Sequence, residues 1–269
     1  MFKKSILLIL ILVLNGNSFS QNKSSTNNSH LVCKYNVEFL KDTLNVESKG
    51  NEIMVLQIGD QVSLYKSQQK RSIDSLRHLA FNKSLAELKT TGSMVVDFSK
   101  IPTVKLVHEV YKNNQELQIF DRIGKDQFVY SPNHKINWKI GESKKRIGDY
   151  ECAEATGVYN NRIYTAWFTT EIPIAEGPYT FKDLPGLVLE VYDSEKYFFI
   201  TLLSIQNLAE VIQPIDRFIK TNYTDFIKKR KQVDENPAAE AQKLLNTPLT
   251  KEMRDRIVEN RKKKNNYLN

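Results

Sequence analysis

The stretch that decides the fold is Gly177 to Asp193, GPYTFKDLPGLVLEVYD. Gly177-Pro178 and Leu184-Pro185-Gly186 are turn signals, because Pro presets φ near about −65° and a following Gly accepts the positive φ of a type II turn. The chain therefore bends twice. Between the bends Tyr179 and Phe181 alternate with polar residues, and beyond them Leu187, Leu189 and Val191 lead to Asp193 as a strand entering a core. The polar residues of the segment, Thr180, Lys182, Asp183 and Glu190, have no evident catalytic companions. The expectation is a geometric device that turns the strand carrying Trp167 into the strand carrying Leu187 to Val191.

Working outward, most of the chain has period two. Leu31 to Leu40 alternates Leu, Cys, Tyr, Val and Phe against mostly polar residues, and Glu52 to Lys66 reads as a hairpin turning at Gly59-Asp60. Alternation returns after Ser93, with His108 among apolar residues, and continues through turns at Asn113-Asn114, Gly124-Lys-Asp126, Pro132-Asn133 and Asn160-Asn161. Tyr197 to Ser204 closes a last hairpin. About ten antiparallel strands result, too many to stay flat, so the sheet curls into a barrel, an open half-barrel or a sandwich. Two regions have another period. Residues 68–90 carry a helical stripe of Ile73, Leu76, Leu79, Leu85 and Leu88, and 213–269 form a Lys-, Glu- and Ala-rich helical tail whose last helix starts near Thr247 or Thr250. The fold class is α+β, mainly β: a curled antiparallel sheet covered by a mid-chain helix and the C-terminal helices.

Residues 1–20 pair Lys3 and Lys4 with an apolar run from Ile6 to Leu14 and with Ser18-Phe-Ser20 ahead of Gln21, which is the pattern of a secretory signal peptide cleaved after Ser20. The run is shorter than the roughly 20 residues that span a bilayer. Residues 21–30 are polar and aperiodic and are expected to be a disordered lead-in, leaving 31–212 as a single β domain. Lys and Arg number 39 against 31 Asp and Glu, a net +8 that includes Lys3 and Lys4. Lys228-Lys-Arg-Lys231 and Arg261-Lys-Lys-Lys264 concentrate the excess in the tail, as a solvated face or as contact with an acidic partner or anionic headgroups. Export and the lack of a basic–aromatic module argue against nucleic acid. In an oxidising compartment Cys33 and Cys152 either form a disulfide, tying the first strand to mid-chain, or remain two buried thiols.

The central stretch resembles the signature of the GLPGLI family, secreted proteins of Bacteroidetes without an established role. The resemblance extends through Trp138-Lys-Ile, Ile147-Gly-Asp-Tyr-Glu-Cys-Ala and Ala166-Trp-Phe-Thr-Thr-Glu-Ile-Pro-Ile to Val191. Asp183 and Val188 stand where the signature has its first Gly and last Ile, so Leu184-Pro185-Gly186-Leu187 is the matching core. By fold-level analogy only, helices over a half-barrel are similar to the periplasmic lipoprotein carriers LolA and LolB.

Chemistry is thin. No G-x-S-x-G elbow is present, Cys152 has no nearby His, and His30, His78, His108 and His134 form no metal-spaced pair. His108 reads as a packed or surface strand histidine, Glu151 and Glu154 fall on opposite faces, and no phosphate loop or cofactor motif is found. No catalytic residue, metal or cofactor is expected. What stands out is aromatic: Trp138, Trp167, Tyr179 and Phe181, with Asp183, are the candidate walls of a site for an apolar ligand or an envelope protein partner, Gly177, Pro178, Leu184, Pro185 and Gly186 being the structural turns. The alternatives are an interaction module without a cavity and an unrecognised hydrolase, which would need Glu or His side chains converging in one cleft.

Overall fold

Alternation along Leu31 to Leu40 buries Cys33, Tyr35, Val37 and Phe39 together, and in the computed structural model this segment is β1 (Ser29–Leu40), the middle of one sheet. The structure describes residues 27–73, 104–114, 116–243, 245 and 247–268; the signal-peptide reading of 1–20, the lead-in as far as 26, and the helical and strand readings across 74–103 lie outside them. The rest of the lead-in is not disordered: Asn28 bridges Val211 and Ser29 opens β1.

A meander runs away from each side of β1. On one side lie β2 (Lys49–Gly59), β3 (Val62–Ser67), β4 (Glu109–Asn113), β5 (Leu117–Ile123) and β6 (Asp126–Tyr130). On the other lie β11 (Phe198–Gln206), β10 (Leu187–Asp193), β9 (Arg162–Thr169), β8 (Tyr150–Tyr159) and β7 (Lys139–Ile147). A two-residue β12 (Ile219–Lys220) adds to β6 in parallel, so the order is β12-β6-β5-β4-β3-β2-β1-β11-β10-β9-β8-β7. The sheet is open, with β12 and β7 as its unpaired edges. At the edge, β7 breaks register between Ile140 and Lys144 and carries Lys144 and Lys145, a charged and irregular border that discourages further pairing. The β8–β9 turn has positive φ at both Asn160 (46°) and Asn161 (62°), as a type I′ hairpin requires.

Curvature follows from which side chains meet. β3 and β8 are six places apart, about 29 Å in a flat sheet at ~4.8 Å per strand. Yet Tyr179 lies 5.0 Å from His108, which is itself 6.3 Å from Tyr65 of β3, and 6.2 Å from Tyr159 of β8. The sheet is therefore curled about Tyr179.

The cover of that concave face differs from the expectation. Residues 68–73 continue β3 as helix. In the tail, α1 (Tyr223–Glu235) is capped by Asn222 and lays Phe226 against Phe128 and Tyr130 of β6, at 5.9 and 4.4 Å. α2 (Pro237–Gln242) and α3 (Lys251–Lys262), the latter capped by Thr250 as anticipated, bury no residue and lie on the outside. Their sequences are too polar to offer an apolar stripe, so they cannot plug a core. The concavity is filled by the double bend itself, whose Tyr179 and Phe181 are fully buried. Among the described residues no helix is long and apolar enough to cross a membrane.

Candidate ligand site

The strand-like run before the double bend lies beside the strand that follows it: Leu187 N donates to Ile172 O (3.0 Å), Val188 N to Glu176 O (3.0 Å) and Asp183 N to Ala175 O (3.3 Å). The loop between them is thus drawn inward as a folded tongue. Its bends are not the expected type II turns. Positive φ falls on Tyr179 (51°) and Asp183 (67°), while Gly186 N donates to Leu184 O (2.8 Å) across Pro185 in a three-residue turn. Gly186 is required for space: a Cβ there would stand 2.0 Å from Thr169 O. Asp183, in the place of the signature glycine, takes the left-handed conformation that Asp tolerates better than most residues.

Buried charge anchors the tongue to the sheet. Lys182 Nζ bonds Glu176 and lies 3.4 Å from Ser63 Oγ of β3, Ser63 Oγ donates to Glu176 Oε2 (3.1 Å), and Lys112 Nζ sits 3.1 Å from Glu176 Oε1. Burial pushes the Glu176 carboxyl up, but Lys182 and Lys112 outweigh it and hold the group below the ordinary carboxylate value. Burial lowers Lys182 further than Glu176 raises it. Tyr35 Oη of β1 donates to Val188 O (2.8 Å) where the tongue passes into β10, and Trp138 Nε1, just ahead of β7, donates to Lys182 O within it (2.9 Å).

The tongue divides the concavity. On one side Thr180, Lys182 and Asp183 face a polar pocket of about 430 Å³ that also has Lys112, Asn113 and His134 in its wall. On the other, Tyr179 faces a pocket of about 400 Å³ between β1, β5, α1 and the strap 264–268. The strap crosses the mouth because Asn265 N donates to Lys41 O (3.1 Å), Asn266 Nδ2 donates to Leu40 O (2.7 Å), and Leu268 is buried. This second pocket has an apolar floor of Phe39, Phe198, Leu106 and Leu268, with Phe39 and Phe198 stacked at 6.3 Å.

His108 stands in its wall, 8% exposed, with Nε2 buried and without a hydrogen-bond partner among the described residues. Burial lowers its pKa to about 4; Asp121 opposes that, and Arg230 and Lys70 reinforce it. At neutral pH the ring is uncharged. Asp121 is held by Arg230 at 2.7 Å, and the Arg230 guanidinium lies over Phe226 and Tyr267, at 4.6 and 4.5 Å from the ring centres. These contacts tie the Arg230–Asp121 pair to Phe226 of α1 and Tyr267 of the strap.

Of the five residues singled out from the sequence, the structure places Tyr179 and Asp183 in pocket walls, one on each side of the tongue. Phe181 packs on Tyr164 (4.6 Å) in the core, and Trp138 supports Lys182. Trp167 lies on the opposite face of β9 from Phe168, under Lys145, whose Nζ is 4.4 Å from its ring and 2.6 Å from Glu190. Cys33 and Cys152 are free and do not form the bridge considered above. Cys33 points inward from β1, while Cys152 is on β8, four places away, on the side opposite the inward Tyr159, well beyond the ~7 Å Cα separation that a disulfide tolerates. Burial raises the thiol pKa values to about 12 and about 11, respectively. No cluster of three or more His, Cys, Asp or Glu with metal-binding geometry exists among the described residues. The wall residues that sequence reasoning missed are His108, Phe39, Phe198, Arg230 and Leu268. The alternation around His108, the inward parity of Phe39 and the strand alternation that sends Phe198 and Phe199 to opposite faces carried a signal; nothing pointed to Arg230 or Leu268.

Comparison with known proteins adds little beyond the stretch itself. The family model described as "Protein of unknown function (Porph_ging)" matches residues 157–190, which include the tongue. No curated protein matches the chain. Two solved structures, described as "Structure of PNGF-II in P21 space group" and "Structure of PNGF-II in C2 space group", align with TM-scores of 0.46 and 0.45 at 14% and 13% identity. They cover 74% and 75% of this chain, which spans 32% of each of theirs.

Proposed function

We propose that this chain is an exported, GLPGLI-like envelope protein that binds rather than transforms its ligand, holding a small apolar molecule in the pocket beneath the strap 264–268. The carrying observation is His108. A buried nitrogen without a partner costs about 1–3 kcal/mol, and a ligand group reaching Nε2 would remove that cost. The pocket volume, about 400 Å³, falls in the roughly 300–1,000 Å³ range of small-molecule sites, and its aromatic and aliphatic floor suits an apolar body. Export rests on Lys3-Lys4, the Ile6 to Leu14 run and the small residues before Gln21. An open curled sheet with an apolar hollow is the outline of the LolA and LolB carriers, and here the hollow is plugged by a tongue in place of helices.

A second reading, a structural or interaction module without a ligand, is favoured by the filled interior around Phe181, Tyr164 and Tyr159. Native mass spectrometry of protein purified from its own envelope separates the two. A co-purified apolar mass, or saturable binding of a neutral apolar fluorescent probe, supports the first. A clean apo mass with no probe binding refutes it in favour of the second.

A further inference from the structure

The same pocket is unequal in charge. Lys41, Lys105, Arg122, Arg230, Arg261 and Lys264 stand around it against a single carboxylate, Asp121. Two of the six are already balanced, Arg230 by Asp121 and Arg261 by Asp234. Lys105 Nζ donates to the neutral carbonyl of Asn51 (3.1 Å), and Lys41, Arg122 and Lys264 are exposed beside the apolar floor. Cations around a low-dielectric hollow reinforce one another's potential and cost self-repulsion unless an anion enters. The aromatic clamp on Arg230 holds the positive wall in place, so little reorganisation is needed when one does.

We infer that the ligand is an amphipathic anion: one apolar chain or ring system lying on Phe39, Phe198 and Leu268, with a single carboxylate or phosphate head held at the basic rim by Arg122 and Lys264. The inference rests on the binding reading above and narrows it to a chemical class. The neutral His108 ring offers Nε2 as a hydrogen-bond partner to an oxygen of the head, while the rim supplies the charge complement.

The test is displacement of a neutral apolar probe from the full mature chain by dodecanoate, dodecyl phosphate, dodecanol and dodecyltrimethylammonium, which share one chain and differ in the head. The expected result is that at least one of the two anions displaces the probe at tenfold or lower concentration than dodecanol, with the cation weakest. The preference should shrink in 0.5 M salt and fall to within about threefold in R122Q/K264Q, two exposed positions where glutamine leaves the fold intact. Whichever of dodecanoate and dodecyl phosphate binds more tightly identifies the head. Dodecanol competing as well as both anions overturns the charge inference and leaves the pocket standing. An anion preference unchanged in R122Q/K264Q removes the head from this rim. A probe that never binds overturns the pocket reading and this inference with it.

Discussion

Gly186→Ala adds a single methyl where β9 hands over to β10, and the structure sets the consequence. The new Cβ would sit 2.0 Å from Thr169 O, 2.6 Å from Thr169 C and 3.1 Å from Thr170 Cα, all backbone atoms that cannot swing aside. An ordinary C···O approach is about 3.3 Å, so the two segments must part by more than ~1 Å. They are paired there, Leu187 opposite Thr169, and the Leu187 N to Ile172 O bond of 3.0 Å closes the tongue. Losing about one buried hydrogen bond, ~1 kcal/mol, and disturbing the packing of Leu184 and Leu187, ~2 kcal/mol, gives about 3 kcal/mol. For a domain of this size that lowers Tm by roughly 6–12 °C. The assay is calorimetric melting of the protein beside Gly124→Ala, a glycine with φ of 63° and nothing within 4 Å of a new Cβ. The control carries only the left-handed penalty, about 1 kcal/mol. A Gly186→Ala melt no lower than that of Gly124→Ala would refute the claim that close backbone approach fixes this residue.

Three other outcomes follow from the same geometry. His108 has a folded pKa of about 4 against 6.5 ordinarily, so the unfolded chain binds the extra proton. Its contribution is present above pH 6.5 and is lost as pH falls toward 4, by up to about 3 kcal/mol, and His108→Phe should remove that part of the acid sensitivity in denaturant titrations at pH 7 and 4.5; identical losses in both proteins would contradict it. Lys182→Met leaves Glu176 buried with Lys112 alone and should cost about 3 kcal/mol, whereas adding Glu176→Leu should recover much of it; a double variant less stable than Lys182→Met would show that the pair contributes through more than charge compensation. Thiol titration of unreduced protein should give two thiols after denaturation and little reaction before, both being fully buried, and no thiol in the denatured protein would restore the disulfide.

What the sequence made legible was local. The Asn160-Asn161 turn, the Thr250 cap, the Gly59-Asp60 hairpin and the inward parity of β1 are each dictated within a few residues, and the structure contains them. Strand alternation likewise sends Phe198 and Phe199 to opposite sides, Phe198 against Phe39 and Phe199 against Tyr192 at 5.4 Å. The bends at Gly177 and Gly186 were visible too, but not their direction. Local turn rules say that a chain reverses, whereas Ser63, more than a hundred residues from Glu176 and Lys182, decides with them that it reverses into the concavity. The same limit hid the pocket. Its floor joins Phe39 to Phe198 and Leu268, and its unpartnered histidine lies between rings distant in sequence, Tyr65 and Tyr179. Trp167 was misplaced for a simpler reason: aromatic content singles out a residue without saying which face of its strand it occupies.

The most direct test of the account is the imidazole nitrogen spectrum of the protein titrated with dodecanol, a ligand whose head makes no demand on the rim. His108 in the apolar pocket, His134 in the polar pocket and exposed His30 report three places at once. Binding as described shifts His108 Nε2 saturably while His134 and His30 stay fixed. A stationary His108, or movement of His134 in its place, would contradict it.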